Sequence, residues 1–226
     1  MTELIEFPAR FLPPPRRNTP AIAGGQGVCI HYPGVPGNWL PDDTRATRSW
    51  SGWYGYHTGK HGWNDIAYNV GVTPAGTILV GRGLHTRCGA NGNRRVNTSH
   101  PFAICVLVGT NDTPTAPQLE TVRRVIATVR TVHPTLTEIA PHSALSATSC
   151  PGDIIRRFIA NGSLEPDQPT TTSETPLDAW RLDWIDFVAG QITEGKPDNW
   201  NRQAQTIVDI TRKNQSQIES LRRFLA

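Results

Sequence analysis

The chain has 226 residues, of which 37% are hydrophobic, so it is long enough to bury the core of one ordinary domain with a smaller appendage. No apolar run reaches the length of about 18 residues that a membrane-spanning helix needs, and four unevenly spaced cysteines exclude the disulfide scaffold of a small secreted domain. The net charge of +3 divides into +6 for residues 1–164 (15 basic, 9 acidic) and −3 for residues 165–226 (7 basic, 10 acidic), without a lysine or arginine run that would indicate nucleic-acid binding.

The first half of the chain predicts an arm, a strand, a helix and a hairpin. Residues 1–20 include the proline cluster PPPRRNTP and are interpreted as an extended arm. The apolar run GVCIHY, residues 27–32, predicts a buried strand that ends at His31. From Asp43 onwards apolar side chains recur at helical spacing, and residues 66–83, IAYNVGVTPAGTILVGRG, predict a hairpin around a Pro-Ala-Gly turn.

The second half predicts a long loop, a strand and two helices. Residues 84–100 are interpreted as a polar loop, and FAICVLVG, residues 102–109, predicts another buried strand. Apolar positions after Pro117 mark an amphipathic helix, and a second helix begins after Pro151. Cys29 and Cys105 lie in the apolar strands, where we expect buried, reduced thiols.

The irregular alternation of strands and helices predicts an α/β or α+β fold, with a mixed β-sheet flanked by helices. We assign residues 21–163 to this domain, residues 164–176, LEPDQPTTTSETP, to a linker, and residues 177–226 to a small helical C-terminal region. An apolar stripe from Ile207 to Leu225 in that region predicts either packing against the domain or assembly into a homo-oligomer.

Two candidate metal ligands lie close together in the loop APHSALSATSCPGD, residues 140–153. His142 and Cys150 are separated by seven residues there, and His31 precedes a Pro-Gly loop at the end of its strand. Zinc takes imidazole nitrogen and thiolate sulfur, and a catalytic zinc site uses three protein ligands and one water. Each residue alone has another interpretation, because a single histidine is more often a surface group and a single cysteine more often part of the core.

Four segments carry a resemblance to a known family. They are IHYPG, YGYHTGKHGWNDIAYNVGVTPAGTILVGRG, VNTSHPFAICVLVG and PHSALSATSCPGD, and the match as a whole covers residues 27–160. In these segments the chain resembles the zinc-dependent N-acetylmuramoyl-L-alanine amidases of the peptidoglycan-recognition-protein type, a family that includes phage endolysins. The pattern Trp-x-Asp-Ile-x-Tyr-Asn followed by Gly-x-Ile-x-x-Gly-Arg-Gly is the most specific part of the match.

The resemblance implies zinc ligands at His31, His142 and Cys150 and a catalytic tyrosine at Tyr68. It also implies a mixed sheet flanked by helices, with Zn²⁺ at the floor of a groove. Zinc would activate water near neutral pH and polarise an amide carbonyl. Tyr68 would donate a hydrogen bond to the developing oxyanion or orient the water.

Three further positions depart from or complete the family pattern. Thr148 stands two residues before the last ligand, where some members have a catalytic lysine and others a threonine, so it is a second catalytic candidate. Many members have Gly-x-His before a loop asparagine, whereas here the tripeptide Gly-Ala-Asn places Asn91 at that position and Asn97 matches the later asparagine. Asn91 and Asn97 are therefore candidates for substrate binding.

The remaining substrate-binding candidates are His57, Trp63 and Arg82. His57 matches a family histidine on the helix, and its alternative role is to tie that helix to the sheet. Trp63 is suited to stacking on a sugar face, although tryptophans are more often core residues. Arg82 is suited to binding peptide carboxylates, and a solvated charge is its alternative.

The resemblance implies a zinc hydrolase of bacterial peptidoglycan that cleaves the amide bond between N-acetylmuramic acid and L-alanine, as in phage endolysins. The N-terminal residues lack an apolar signal region, so we expect the enzyme to stay in the host cytoplasm until it is released to the wall. We expect no membrane anchor and no nucleic-acid partner. A peptidoglycan-binding module without catalysis is the alternative, and a nucleic-acid-binding protein would have only the basic charge in its favour.

Overall fold

The domain is built on a five-stranded mixed sheet. A computed structural model of the chain describes residues 5–37 and 43–166. The strands in chain order are β1 (Gly27–His31), β2 (Val70–Val72), β3 (Ile78–Val80), β4 (Phe102–Val106) and β5 (Glu138–Pro141). Their order in the sheet is β3-β2-β4-β1-β5, and only the pairing of β2 with β3 is antiparallel. The predicted fold class, a mixed sheet flanked by helices, is confirmed.

Five α-helices accompany the sheet in the described residues. They are α1 (Asp43–Gly55), α2 (Arg94–Ser99), α3 (Ala116–Val132), α4 (His142–Leu145) and α5 (Gly152–Ala160). A π-helical turn, Tyr56–Lys60, continues α1 and carries His57. Among residues 5–37 and 43–166, no helix combines the length and the apolar character needed to cross a membrane.

The two faces of the sheet bury two different side-chain clusters because successive strand residues point to opposite sides. On β4, Phe102 and Ile104 belong to the cluster that includes Val125 and Ile126 of α3. Cys105 belongs instead to the cluster on the α1 face. Each fully buried aliphatic or aromatic side chain contributes roughly 1.5–3 kcal/mol, so α3 is fixed to the sheet mainly by its apolar side.

Trp50 anchors α1 to the opposite face of the sheet. It is completely buried, and Gly71 of β2 lies directly beneath it, so a Cβ at that position would come within 2.8 Å of the indole ring. The glycine therefore allows the helix to approach the sheet closely. Cys29 and Cys105 are both fully buried free thiols, which confirms the prediction for these two cysteines.

The N-terminal segment is irregular, but it packs closely on the domain. Leu12 is buried in the same cluster as Trp50. The Arg10 guanidinium donates to both carboxylate oxygens of Asp65, at 2.8 and 2.6 Å, and to the backbone carbonyl of Gly81. Arg16 donates from its backbone to the carbonyl of Asn64, 2.8 Å away. Residues 10–16 therefore fasten the segment that leads to Tyr68, a role that the prediction of an extended arm did not include.

Three other features differ from the sequence predictions. The polar loop of residues 84–100 contains the short helix α2, which Asn93 caps by accepting a hydrogen bond from the Val96 N–H. Residues 138–141 form β5, which was not predicted. Leu164, assigned to the linker, is only 1% exposed and belongs to the core, so the packed domain extends at least this far. The rest of the linker from residue 167, the C-terminal helices and the proposed oligomer lie outside the described residues.

Candidate functional site

Two parallel strands bring two histidines to one edge of the sheet. β1 pairs with β5 in a register that places Ile30 opposite Pro141, and the next residues in the chain are His31 and His142. The carboxyl ends of neighbouring parallel strands lie at the same edge of a sheet, where ligands of α/β proteins usually bind. The two imidazole rings are consequently adjacent, with centroids 4.4 Å apart.

A short helical turn then returns the chain to the same place and delivers Cys150. The backbone N–H of Ser143 donates to the carbonyl of Cys150 at 2.7 Å, which closes the loop that began at His142. The sulfur of Cys150 lies 3.6 Å from Nδ1 of His31. Strand β1, strand β5 and this closed loop thus each position one of the three predicted ligands.

The three residues form a cluster with the geometry of a metal site. One ligand atom from each of His31, His142 and Cys150 lies within 4.8 Å of the others. Two ligands with Zn–N and Zn–S bonds of about 2.0 and 2.3 Å at a tetrahedral angle would be about 3.5 Å apart, close to the observed 3.6 Å between the sulfur and Nδ1. Nε2 of His142 is buried and has no hydrogen-bond partner among the described residues, as expected for an atom that a metal would satisfy. The nitrogen and sulfur donors fit zinc.

The protonation states of the two histidines favour a metal site over a Cys-His nucleophile pair. Burial, with a smaller contribution from the neighbouring His142, lowers the pKa of His31 to about 3. Burial also lowers the pKa of His142, and this effect is larger than the opposite effect of the backbone carbonyl of Asn91, which raises that pKa. Burial raises the pKa of the Cys150 thiol to about 11. Neutral imidazoles are the form that binds a metal, whereas a Cys-His nucleophile pair requires a thiolate beside a protonated ring.

Tyr68 borders the cluster, and its catalytic role stays a prediction. Its ring meets the ring of His31 edge-on, with centroids 5.4 Å apart, and lies parallel to Trp50 at 5.9 Å. Burial is the main cause that raises the pKa of its hydroxyl well above the ordinary value, and a hydrogen bond with Cys105 contributes. The hydroxyl therefore keeps its proton and can act as a hydrogen-bond donor.

Thr148 lies on the exposed part of the ligand loop. Its hydroxyl accepts a hydrogen bond from the backbone N–H of Cys150 at 3.2 Å. This contact supports the turn that presents the cysteine. A catalytic role for Thr148 stays a prediction.

The prediction that Asn91 binds substrate is wrong. Its side chain is fully buried behind His31, and its Oδ1 accepts a hydrogen bond from Nε2 of His31 at 2.8 Å. Asn97 is partly buried, and its Oδ1 accepts from the backbone N–H of Asn91 and from the Cys88 thiol. The two asparagines thus belong to one hydrogen-bonded network, and a substrate contact by Asn97 stays a prediction.

Arg82 has a structural role that its sequence position did not reveal. Its guanidinium donates to the backbone carbonyls of Ile66, at 2.6 Å, and Arg87, at 2.9 Å. These contacts join the segment before Tyr68 to the loop before Asn91, so Arg82 supports both sides of the site. Substrate binding by Arg82 stays a prediction.

His57 and Trp63 form an aromatic surface next to Tyr68. Their rings stack with centroids 5.0 Å apart and 14° between the planes, and Trp63 is 39% exposed. Nδ1 of His57 accepts a hydrogen bond from the backbone N–H of Ala67, and its ring centroid lies 6.2 Å from that of Tyr68. An exposed ring stacked on His57 suits the predicted contact with a sugar. His57 also ties the π-helical turn to the segment that carries Tyr68.

The neutral ring of His57 should make the metal-free protein less stable in acid. Burial is the main cause that lowers its pKa from 6.5 to about 4. The folded protein therefore binds this proton less readily than the unfolded chain, so the contribution to stability is complete above pH 6.5 and is lost as the pH falls towards 4. We expect the free energy of unfolding in urea to decrease over this range and His57→Gln to reduce that dependence. Equal slopes for the two proteins would contradict the assignment.

One family model matches most of this domain. The family described as Amidase_2, N-acetylmuramoyl-L-alanine amidase, matches residues 23–153, which include the three clustered ligands and Tyr68. No curated protein sequence matches the chain.

Solved structures similar to the chain come from peptidoglycan recognition proteins. Drosophila peptidoglycan recognition protein SD has a TM-score of 0.58 and 17% identity over 72% of this chain and 92% of that chain. Wild-type Drosophila PGRP-LB has a TM-score of 0.54 and 22% identity over 72% of this chain and 93% of that chain. Peptidoglycan recognition protein LE, solved with tracheal cytotoxin, has a TM-score of 0.56 and 21% identity over 67% of this chain and 86% of that chain. These similarities show a shared fold.

Proposed function

Because this chain belongs to the N-acetylmuramoyl-L-alanine amidase family, we propose that it is a zinc-dependent hydrolase of the amide bond between N-acetylmuramic acid and L-alanine in bacterial peptidoglycan. The observation that carries the proposal is the cluster of His31, His142 and Cys150, whose ligand atoms lie within 4.8 Å of one another inside the region matched by the family. A phage endolysin that lyses the host wall is the biological role we propose for it.

In this proposal His31, His142 and Cys150 hold the zinc. When bound, zinc supplies polarisation of the scissile carbonyl and activation of water near neutral pH. Three protein ligands leave one coordination position for water or substrate, as in other catalytic zinc sites. The neutral imidazoles of His31 and His142 need not lose a proton before they bind the metal.

Tyr68 supplies the polar group next to this centre. Its hydroxyl keeps its proton, because burial raises its pKa, so it can donate a hydrogen bond to the oxygen on which negative charge develops. Such donors contribute most when they are fixed in place before the reaction. Packing of the Tyr68 ring against Trp50 and His31 provides that fixation. Trp63 and His57 offer a half-exposed aromatic surface for the sugar or the peptide.

Digestion of purified sacculi tests the activity directly. Mass spectrometry of the products should find free stem peptides that begin with L-alanine, released by the zinc-loaded protein and not after chelation. Metal analysis of the same preparation should find about one equivalent of zinc. Full activity in verified metal-free protein would overturn the zinc assignment, and cleavage at another bond would overturn the substrate assignment.

A peptidoglycan-binding module without catalysis is the second candidate. It is supported by a similar fold, that of peptidoglycan recognition protein LE, solved in complex with tracheal cytotoxin, a monomeric diaminopimelic acid-type peptidoglycan. The same sacculi distinguish the two candidates. Sedimentation of the protein with sacculi, without release of stem peptides by zinc-loaded protein, would favour the binding module.

Replacement of Tyr68 by phenylalanine should lower turnover about 100-fold, the usual cost of losing one oxyanion donor. The substitution removes only the hydroxyl, so zinc content and sedimentation with sacculi should not change. Thr148→Ala should cost much less, because Thr148 offers an exposed neutral hydroxyl. Turnover numbers on a soluble muropeptide provide the measurement. A near-normal turnover number for Tyr68→Phe would show that the hydroxyl is not catalytic.

A further inference from the structure

Asn91 is a buried amide with a defined orientation. Its Nδ2 donates to the backbone carbonyl of His100 at 2.7 Å and also contacts the sulfur of Cys88 at 3.4 Å. A carbonyl cannot donate a hydrogen bond, so this end of the amide must be the nitrogen. The other end, Oδ1, is therefore the atom that faces His31 at 2.8 Å.

This orientation determines which nitrogen of His31 carries the proton. Oδ1 of Asn91 can only accept, so Nε2 of His31 must donate and carry the hydrogen. In the neutral ring the lone pair then lies on Nδ1. Nδ1 is the nitrogen that lies 3.6 Å from the sulfur of Cys150, on the side of the ligand cluster. The other tautomer would leave two acceptors facing each other and a proton where a metal would bind.

The backbone of Asn91 supports the second histidine. Its carbonyl accepts a hydrogen bond from the hydroxyl of Ser146, 3.1 Å away, and lies close enough to the ring of His142 to raise the pKa of that ring. Its own N–H donates to Oδ1 of Asn97 at 3.0 Å, which fixes the loop from behind. One buried residue therefore contacts both histidines of the cluster.

We propose that Asn91 is the positioning residue of this site, which holds His31 as the Nε2–H tautomer with Nδ1 free for the metal and thereby sets the zinc affinity. The proposal rests on the zinc centre proposed above. Loss of a hydrogen-bond partner of a metal-binding histidine typically weakens metal affinity about 10- to 100-fold. Asn91 does not touch the reacting atoms and acts through His31.

Asn91→Leu tests the proposal, with Asn93→Leu as the matched control. Asn93 is an exposed asparagine of the same loop whose side chain caps α2 and makes no contact with His31. Nitrogen-15 NMR of the histidine rings in metal-free protein reports the tautomer without any need for zinc or activity. We expect His31 to be the Nε2–H form in the wild type and in Asn93→Leu and a mixture of tautomers in Asn91→Leu.

Zinc affinity, measured by competition with a chromophoric chelator, is the second readout. Asn91→Leu should bind zinc about 10- to 100-fold more weakly, and Asn93→Leu should stay within about twofold of the wild type. An Asn91→Leu protein with the wild-type tautomer and wild-type affinity would overturn the proposal. So would a wild-type protein in which Nδ1 of His31 carries the proton.

Asn91→Asp provides a second test of the His31 tautomer in case the leucine variant does not fold. A carboxyl group that keeps its proton can donate to the carbonyl of His100 and still accept from Nε2 of His31, so the Nε2–H tautomer should persist in this variant. Its loss would overturn the proposal. The tautomer is measured without metal. Failure of the wild type to bind zinc would therefore refute the zinc centre, but the effect of Asn91 on the tautomer of His31 could still be determined.

Discussion

Replacement of Cys150 by serine should remove most of the bound zinc and reduce amidase turnover below detection, while the fold persists. Serine cannot supply the sulfur that lies 3.6 Å from Nδ1 of His31 and that would bind zinc as a thiolate. Loss of a ligand should weaken zinc binding by more than the roughly 10- to 100-fold that loss of an indirect partner costs. Cys150 is only partly buried, and the core strands do not pack on its sulfur alone, so the metal-free protein should keep its secondary structure.

Ser149→Ala is the control for this prediction. Ser149 is exposed and adjacent to the ligand, and its contacts in the described residues are made by its backbone carbonyl. The control should therefore retain zinc and turnover. Metal analysis, circular dichroism and the muropeptide assay on both variants provide the measurements. Undiminished zinc in a folded, active Cys150→Ser protein would exclude the cysteine as a ligand.

Arg10→Ala should destabilise the domain by about 3–5 kcal/mol, the usual cost of removing one partner from a buried ion pair. The carboxylate of Asp65 has no exposed side-chain surface, and Arg10 contacts both of its oxygens. Without the guanidinium a buried negative charge would be left with little beyond the backbone N–H of Ile66. The free energy of unfolding in urea is the measurement.

Two further variants identify the cause. Arg17 is exposed, with no hydrogen bond or ion pair to the described residues, so Arg17→Ala should change stability by less than about 0.5 kcal/mol. Adding Asp65→Asn to Arg10→Ala should recover part of the loss, because a neutral amide is cheaper to bury than an unpaired carboxylate. A loss below about 1 kcal/mol for Arg10→Ala would show that the pair contributes no more than an exposed one.

The sequence predicted the long, strongly patterned elements of the fold. The strand that contains Cys29 was recognisable because it is a continuous apolar run buried on both faces. The helix that contains Trp50 and the amphipathic helix of residues 116–132 were recognisable because each buries one regular face. Strand β5 was not recognisable. It has only four residues, of which one is fully buried, so its pattern does not differ from that of a loop.

The residues of the candidate site were predicted from a resemblance to a family and not from a periodic pattern. His31, His142, Cys150 and Tyr68 were selected by resemblance to a family, and the structure brings them together. The role of Asn91 was not predictable, because a buried amide behind a ligand and an exposed amide in a groove have the same sequence signal. Arg10 was missed for a related reason, since its partner Asp65 lies 55 positions away and no local pattern joins them.

The parallel pairing of β1 with β5 also affects when this protein can become active. His31 and Cys150 are 119 positions apart, so a growing chain exposes one ligand long before the ribosome has made the other two. The three donors can meet only after β5 has joined the sheet, and closing so long a stretch of chain is among the slower events of folding. A partly synthesised chain therefore has the first histidine and no complete site. The candidate site can therefore form only after the chain has been made as far as Cys150 and β5 has joined the sheet.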